Sequence, residues 1–218
     1  MASSPTATSF AVLGLLALQQ WTAYDLVAQA RRSLHFFWPR SEAHLYAELK
    51  RLVDRGHAHA EVVDGRRRQA TRYTITPQGR AALEQWLATE PAPPTIEIEA
   101  LLRVLFADHG SLEDLRATLR ATAQQTSDLR TGTLVIGEEL LTTGGPFPQR
   151  LHLVERVGAL YGEFLLLLGR WCEETLTEIE TWPDTRDVGL TPWGRERFEE
   201  LLDRARQGPP NRDCIVTG

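Results

Sequence analysis

The chain has 218 residues, a formal net charge of −5 at pH 7, and 42% hydrophobic residues. Such a length suffices for one large domain or two small ones with a buried core. The apolar segment at residues 10–18 is too short to span a bilayer, and the two cysteines do not suggest a disulfide framework. We therefore expect a cytoplasmic protein without a membrane partner.

The charge is divided unequally along the chain. Residues 1–90 contain 11 Lys and Arg against 8 Asp and Glu, whereas the remaining residues contain 13 against 21. A basic segment on an acidic body can bind a polyanion through one face.

The first 90 residues show a sequence of cap, turn and apolar patterns. They predict helices over residues 10–19, 22–34 and 41–56, strands over 57–63 and 70–76 joined through Asp64-Gly65, and a fourth helix over 76–90. Three helices, a hairpin and a fourth helix form the order of a winged helix-turn-helix module, in which the hairpin is the wing.

A proline-rich segment follows, and the rest of the chain has helical patterns. Helices are predicted over residues 96–108, 111–141 and 148–182, and TPWGR at residues 191–195 repeats the helix start of TPQGR at residues 76–80. The predicted fold class is therefore mainly α. We expect a winged-helix DNA-binding domain at 1–90, a linker at 91–95, an all-helical dimerisation domain at 96–206 and a flexible tail at 207–218.

The last long helix has apolar residues at alternating spacings of three and four. This heptad stripe consists of Val154, Val157, Tyr161, Phe164, Leu168 and Trp171. Such spacing is typical of a helix pair in a dimer. It predicts a homodimer, although a helix packed within the chain's own bundle has the same pattern.

The predicted third helix has two unlike faces. Leu45, Leu49 and Leu52 share an apolar face, which we assign to the core. The opposite side and its flanks form what we call the recognition face, composed of Arg40, Ser41, His44, Tyr46, Lys50 and Arg51. These side chains suit base and phosphate contacts to double-stranded DNA, but an ordinary solvated helix face is also charged.

The hairpin tip concentrates arginine. Arg66, Arg67, Arg68 and Arg72 lie at the tip or beside it, and guanidinium groups suit phosphates and narrow minor grooves. Along the second strand, Tyr73 alternates with Arg72, which predicts one core-facing and one outward side. A solvated hairpin without a ligand remains an alternative.

Several aromatic residues cluster in the sequence near the second helix. This aromatic quartet consists of Trp21, Tyr24, Phe37 and Trp38. The four rings could form a pocket for a small aromatic effector, and packing in the core is the competing interpretation.

No motif for catalysis, a cofactor or a metal is complete. His57 and His59 would share one side of a strand, but no close Cys or acidic cluster completes a coordination shell. Glycine-rich phosphate loops and nucleophile motifs are missing from the sequence. We expect a protein that is not an enzyme. A winged helix that binds only other proteins is the alternative to a DNA-binding regulator.

Motifs of the first 90 residues resemble the PadR family of bacterial transcriptional regulators. The resemblance is carried, in order, by AVLGLLAL, TAYDL, FFWPRSEAHLYAELKRLVDRG and RYTITPQGRAALEQWL. The helical remainder is similar in layout to the larger members with virulence-activator-type C-terminal helices.

This resemblance implies a homodimer that binds an inverted-repeat operator and represses nearby genes, in some relatives under control of a phenolic or drug-like ligand. By position, Ser41, His44, Tyr46 and Lys50 match the family's recognition helix, and Arg66–Arg68 with Arg72 match its wing. The chain departs from the family pattern at Ala23, at His57-Ala58 and at Arg67, where glycine, an aliphatic pair and proline are common.

Overall fold

The structure is a computed structural model that describes residues 5–64 and 69–208. The chain divides into two compact units, and the boundary between them falls between Pro94 and Thr95 in the sequence. Helices predominate, with one three-stranded antiparallel sheet. The predicted mainly α class is confirmed.

The N-terminal unit has the predicted order of elements plus one short strand. Its elements are α1 (Ala7–Leu18), β1 (Trp21–Thr22), α2 (Ala23–Ser33), α3 (Glu42–Asp54), β2 (Ala58–Asp64), β3 (Gln69–Ile75) and α4 (Pro77–Leu87). Helix α1 begins three residues earlier than predicted, because Thr6 and Ser9 form a reciprocal capping box at its start.

The sheet has the order β1-β3-β2, so β3 is the central strand. In the hairpin Ala58 pairs with Ile75 and Asp64 pairs with Gln69, while Trp21 of β1 pairs with Tyr73. The predicted β2 and β3 are confirmed, and the connecting residues 65–68 lie outside the described residues. Strand β1 was not predicted, since a two-residue strand has no alternation to detect.

The core of the N-terminal unit surrounds α1. Val12, Leu13 and Leu16 of α1 are almost fully buried, and α1 packs against α2, α3, α4 and β3. The stack of Phe10 on Trp86, with ring centroids 4.8 Å apart, joins α1 to α4. A helix that is apolar on nearly all sides is stable only when enclosed in this way.

The hydroxyl caps predicted from sequence are present. Thr22, Ser41, Thr76 and Thr191 each accept a hydrogen bond from the backbone N–H three residues ahead. The Asp25 carboxylate in turn accepts a hydrogen bond from the Thr22 hydroxyl at 2.7 Å.

The C-terminal unit is helical. It contains α5 (Glu99–Leu105), α6 (Leu112–Thr143), α7 (Leu151–Ile179) and α8 (Pro192–Gln207). Helix α5 is shorter than the predicted 96–108: it begins only at Glu99, and a 3-10 turn replaces its end at Ala107–His109. Leu115 and Leu119, near the start of α6, pack with Ile179 at the end of α7, so the two long helices run antiparallel. Among the described helices, none combines the length and the apolar character that crossing a membrane requires.

The base of the wing is hydrogen-bonded to the start of α4. The Thr76 N–H donates to the carbonyl of His57 at 3.0 Å, and the Thr76 hydroxyl donates to the carbonyl of Gly56 at 2.7 Å. A Cβ placed on Gly79 would lie 2.1 Å from the same His57 carbonyl oxygen. Only glycine therefore allows α4 to start so close to the wing.

We expect Gly79→Ala to lower the free energy of unfolding by about 3 kcal/mol, because backbone atoms must move to relieve the overlap. Gly14→Ala is the matched control: nothing lies within 4 Å of its added Cβ in the middle of α1. It should be neutral or stabilise by up to about 1 kcal/mol. Thermal and urea unfolding would measure both, and equal effects of the two variants would contradict the steric argument.

Candidate nucleic-acid interface

Helix α3 is fixed by its cap and by one apolar face. The Ser41 hydroxyl accepts from the His44 N–H, and Leu45, Leu49 and Leu52 are at most 4% exposed. The predicted core face is confirmed. Its burial turns the opposite side of α3 toward solvent.

The exposed side of α3 contains small, polar and basic residues. Ala43, His44, Ala47 and Lys50 are all exposed, with Ser41 and Tyr46 at the flanks. The two alanines leave space for a groove wall. Lys50 has no ion-pair partner among the described residues, so its charge is available to a polyanion. Its contact with DNA remains a prediction.

Glu48 of α3 is buried, with 1% of its surface exposed. This residue was not identified from the sequence. Its Oε2 accepts a hydrogen bond of 2.6 Å from the Ser9 hydroxyl of α1, and Oε1 contacts Nη1 of Arg51. The His44 Nε2 lies 3.9 Å from Oε1. A signal was available: Glu48 follows Leu45 by three residues and precedes Leu52 by four, which places a carboxylate on the apolar face.

The surroundings of Glu48 favour its charged form. Burial by itself raises the pKa, but hydrogen bonds from Ser9 and Arg51 and the positive charges of Arg51 and His44 outweigh it. The pKa of Glu48 is therefore lowered below its ordinary value of 4.5. A buried carboxylate persists at this position because its partners stabilise the ionised state.

Arg51 and Arg40 of the recognition face have interaction partners within the chain. Arg51, with a side chain that is 52% exposed, contacts Glu48. The guanidinium of Arg40 lies 4.6 Å from the ring centre of Trp38, donates from Nε to the Thr8 hydroxyl, and donates from Nη1 to the Pro39 carbonyl. The structure therefore holds both guanidinium groups in defined positions beside α3.

The wing has the predicted alternation along β3. Arg72 and Thr74 are exposed, whereas Tyr73 packs against the core and Ile75 is buried. In the strand register, Arg72 lies opposite Glu61 of β2 on one side and opposite Thr22 of β1 on the other. Arg66, Arg67 and Arg68 lie outside the described residues, so their predicted role is not tested by the geometry.

Comparison with known proteins shows what the N-terminal unit is similar to. Residues 12–85, which include α3, the hairpin and most of α4, match the Transcriptional regulator PadR-like family. Over these residues the unit is similar to the PadR-like family. The sequence resemblance is thereby confirmed, and the family consists of transcriptional regulators, in agreement with the prediction that the chain is not an enzyme.

Individual relatives agree with this assignment. The negative transcriptional regulator PadR of Bacillus subtilis is 31% identical over 99 residues, which are 44% of this chain and 54% of that protein. The match thus spans about half of that relative. A PadR-like regulator from Bacillus cereus has a TM-score of 0.68 at 18% identity, covering 79% of this chain and 98% of that one. B. subtilis PadR, solved in complex with operator DNA, has a TM-score of 0.67 at 24% identity, covering 80% and 99%.

These structural matches extend past the PadR-like unit into the helical one. They confirm the predicted fold class of a winged helix-turn-helix followed by a helical domain. At these identities the likeness is one of fold. The individual contacts and the assembly of this chain are therefore treated as proposals below.

The aromatic quartet of the PadR-like unit does not share one environment. The indole of Trp21 packs against the core and donates to the Leu15 carbonyl at 2.8 Å, while that of Trp38 donates to the Thr8 hydroxyl. Tyr24 is 75% exposed and Phe37 is 47% exposed. A shallow pocket of about 370 Å³ includes Trp21, but its other lining residues are mainly polar or charged, and the remaining three aromatic residues are not among them.

The heptad stripe of α7 is divided between two surroundings. Val154 and Val157 are 44% and 46% exposed. Tyr161, Phe164 and Leu168 are partly buried, and Trp171 packs against the cluster formed by α6 and the end of α7. The intrachain interpretation is therefore correct for Trp171. The exposed first part of the stripe remains available for a partner.

Within the described ranges, no group of three or more His, Cys, Asp or Glu side chains is placed to hold a metal ion. His57 is partly buried and His59 is exposed, so the two predicted strand histidines differ in environment. Their arrangement supplies no coordination shell.

We expect Glu48→Gln to lower the free energy of unfolding at pH 7 by about 1–2 kcal/mol, because hydrogen bonds to a charged group are weakened. Folding lowers the pKa of Glu48. The ionised carboxylate therefore makes its full contribution to the free energy of unfolding above the pKa of the unfolded state, and this contribution is lost as pH falls through the pKa of the folded state. The difference between wild type and variant should therefore narrow below pH 4.5.

Urea unfolding at a series of pH values would measure this difference. Glu84→Gln is the control, because Glu84 is exposed on α4. A Glu48→Gln difference that stays constant down to about pH 3 would show that the charge of Glu48 is not stabilising.

Proposed function

We propose that the chain is a transcriptional repressor that binds an inverted-repeat operator as a homodimer and is released by a small aromatic effector. The observation that carries the proposal is the exposed polar and basic side of α3, next to a wing strand bearing Arg72, within a PadR-like unit. A protein-only interaction module would be expected to have a neutral or acidic face at this position.

The two parts of the interface would act differently. Helix α3 would enter the major groove, where Ser41, His44, Tyr46 and Lys50 reach base edges or phosphates. The wing arginines would neutralise phosphates and release counterions, which gives affinity independent of sequence. The excess of Lys and Arg in residues 1–90 favours this unit over the acidic remainder as the part that meets DNA.

A homodimer would supply the symmetry that an inverted repeat requires. Two winged helices related by a two-fold axis bind two half-sites at a fixed spacing. Exposed Val154 and Val157 on α7 are apolar, and a partner surface would remove them from water. We assign them to the dimer interface, together with Tyr161, Phe164 and Leu168.

The proposed control by a small aromatic effector is supported by a relative and by exposed aromatic residues of this chain. B. subtilis PadR has been solved in complex with p-coumaric acid, a phenolic acid. In this chain Tyr24 and Phe37 are the exposed members of the aromatic quartet, so they are the ones that a flat ligand could contact. To release DNA, the ligand must bind the two dimer geometries with different affinity.

The central experiment is a fluorescence anisotropy titration at two salt concentrations. One duplex comes from immediately upstream of the coding region, and the other is a shuffled duplex of equal length. Selective binding of the native duplex would support an operator-reading regulator. Absence of binding to either duplex at low salt would overturn the proposal and favour a protein-interaction module.

We expect replacement of Arg66, Arg67 and Arg68 by alanine to weaken binding of all duplexes to a similar degree. The slope of log affinity against log salt should flatten by about 0.9 for each lost phosphate contact. The control is the same number of Arg→Ala changes on α8, at Arg195, Arg204 and Arg206. An unchanged slope in the wing variant would mean that the wing does not touch DNA.

We expect Val157→Asp to dissociate the dimer at micromolar concentration and to weaken operator binding, because a buried unpaired carboxylate is costly. Arg170→Asp places the same group on an exposed α7 position outside the heptad stripe and should leave the assembly intact. Sedimentation velocity would measure both. A dimer that survives Val157→Asp would place the interface elsewhere.

A further inference from the structure

We propose that Glu48 is a specificity-determining residue that positions Arg51 on the recognition face and offsets its charge. The proposal rests on the DNA-binding function proposed above. In the proposed role, Glu48 itself does not contact DNA. It acts through Arg51, by controlling how much positive charge α3 presents.

The geometry of Glu48 joins the core to the recognition face. One carboxylate oxygen is held from the inside by the Ser9 hydroxyl, at 2.6 Å. The other faces outward to the guanidinium of Arg51 and to the His44 imidazole, whose Nε2 is 3.9 Å away. Because Ser9 is fully buried in α1, the carboxylate has a rigid support.

This support gives Arg51 a defined orientation. A guanidinium group has five N–H donors in a planar fork, and the contact with Glu48 engages Nη1. The side chain is still 52% exposed, so other donors remain accessible to a base edge or a phosphate. Arg51 would therefore offer directional hydrogen bonds whose geometry is set before DNA arrives.

The same contact changes the electrostatics of the interface. A carboxylate held in its ionised form compensates the charge of Arg51, so this pair adds little to counterion release. Exposed Lys50, one residue earlier, has no such partner among the described residues. Loss of the Glu48 charge would turn Arg51 into a second uncompensated cation, which attracts every DNA sequence equally.

The decisive test is a double-mutant cycle of Glu48→Gln and Arg51→Ala, with operator and shuffled duplexes titrated over a range of salt concentrations. We expect Glu48→Gln to bind shuffled DNA about tenfold more tightly at low salt, with a slope steeper by up to about 0.9. The ratio of operator to shuffled affinity should fall. Glu48→Gln combined with Arg51→Ala should return the slope to that of wild type.

Glu84→Gln is the matched control, because Glu84 is exposed on α4, outside the recognition face. It changes the net charge equally but should leave the slope and the affinity ratio near wild type. A wild-type slope for Glu48→Gln would overturn the inference, as would a steep slope that persists without Arg51. If wild type itself shows no preference for the operator duplex, the proposed function fails first, and the two failures are distinguishable.

A measurement on the wild-type protein covers the case in which Glu48→Gln does not fold. In NMR spectra of the guanidinium groups, Arg51 should show hindered rotation about its Cζ–Nε bond, with separate Nη signals. Exposed Arg80 on α4 serves as the freely rotating reference. Rotation of Arg51 as fast as that of Arg80 would overturn the positioning role.

Discussion

Burial of α1 is the constraint on which the N-terminal unit depends. Helices α2, α3 and α4 and strand β3 all pack against this one apolar helix. Each of these elements turns its apolar face toward α1. Its opposite face is therefore left in solvent. The polar and basic side of α3 and the outward side of β3 are therefore exposed for the same reason.

Local signals in the sequence predict most of this unit. Hydroxyl caps at Thr22, Ser41 and Thr76 and the alternation of Tyr73 with Arg72 all concern residues a few positions apart. The missed features depend on distant partners. Strand β1 exists only because β3 is beside it, and the Ser9–Glu48 contact joins residues 39 positions apart. In α5, the predicted apolar pattern continues beyond the point where the backbone tightens into a 3-10 turn.

In α7, the apolar periodicity predicts the helix but not its packing partner. The heptad stripe shows that one side of the helix is apolar, but it does not show which surface covers that side. In the structure Trp171 packs within its own chain, whereas Val157, two heptads earlier, is half exposed. Both surroundings favour the same residue types, since burial against any partner removes apolar area from water.

The hydrogen bonds at Thr76 have a mechanical consequence. This one residue ends the wing, through its bonds to Gly56 and His57, and begins α4 as its cap. With no spare residue between hairpin and helix, a tilt of α4 strains the bonds that hold the wing's base. A displacement of α4 would therefore be passed to the base of the hairpin through these two hydrogen bonds.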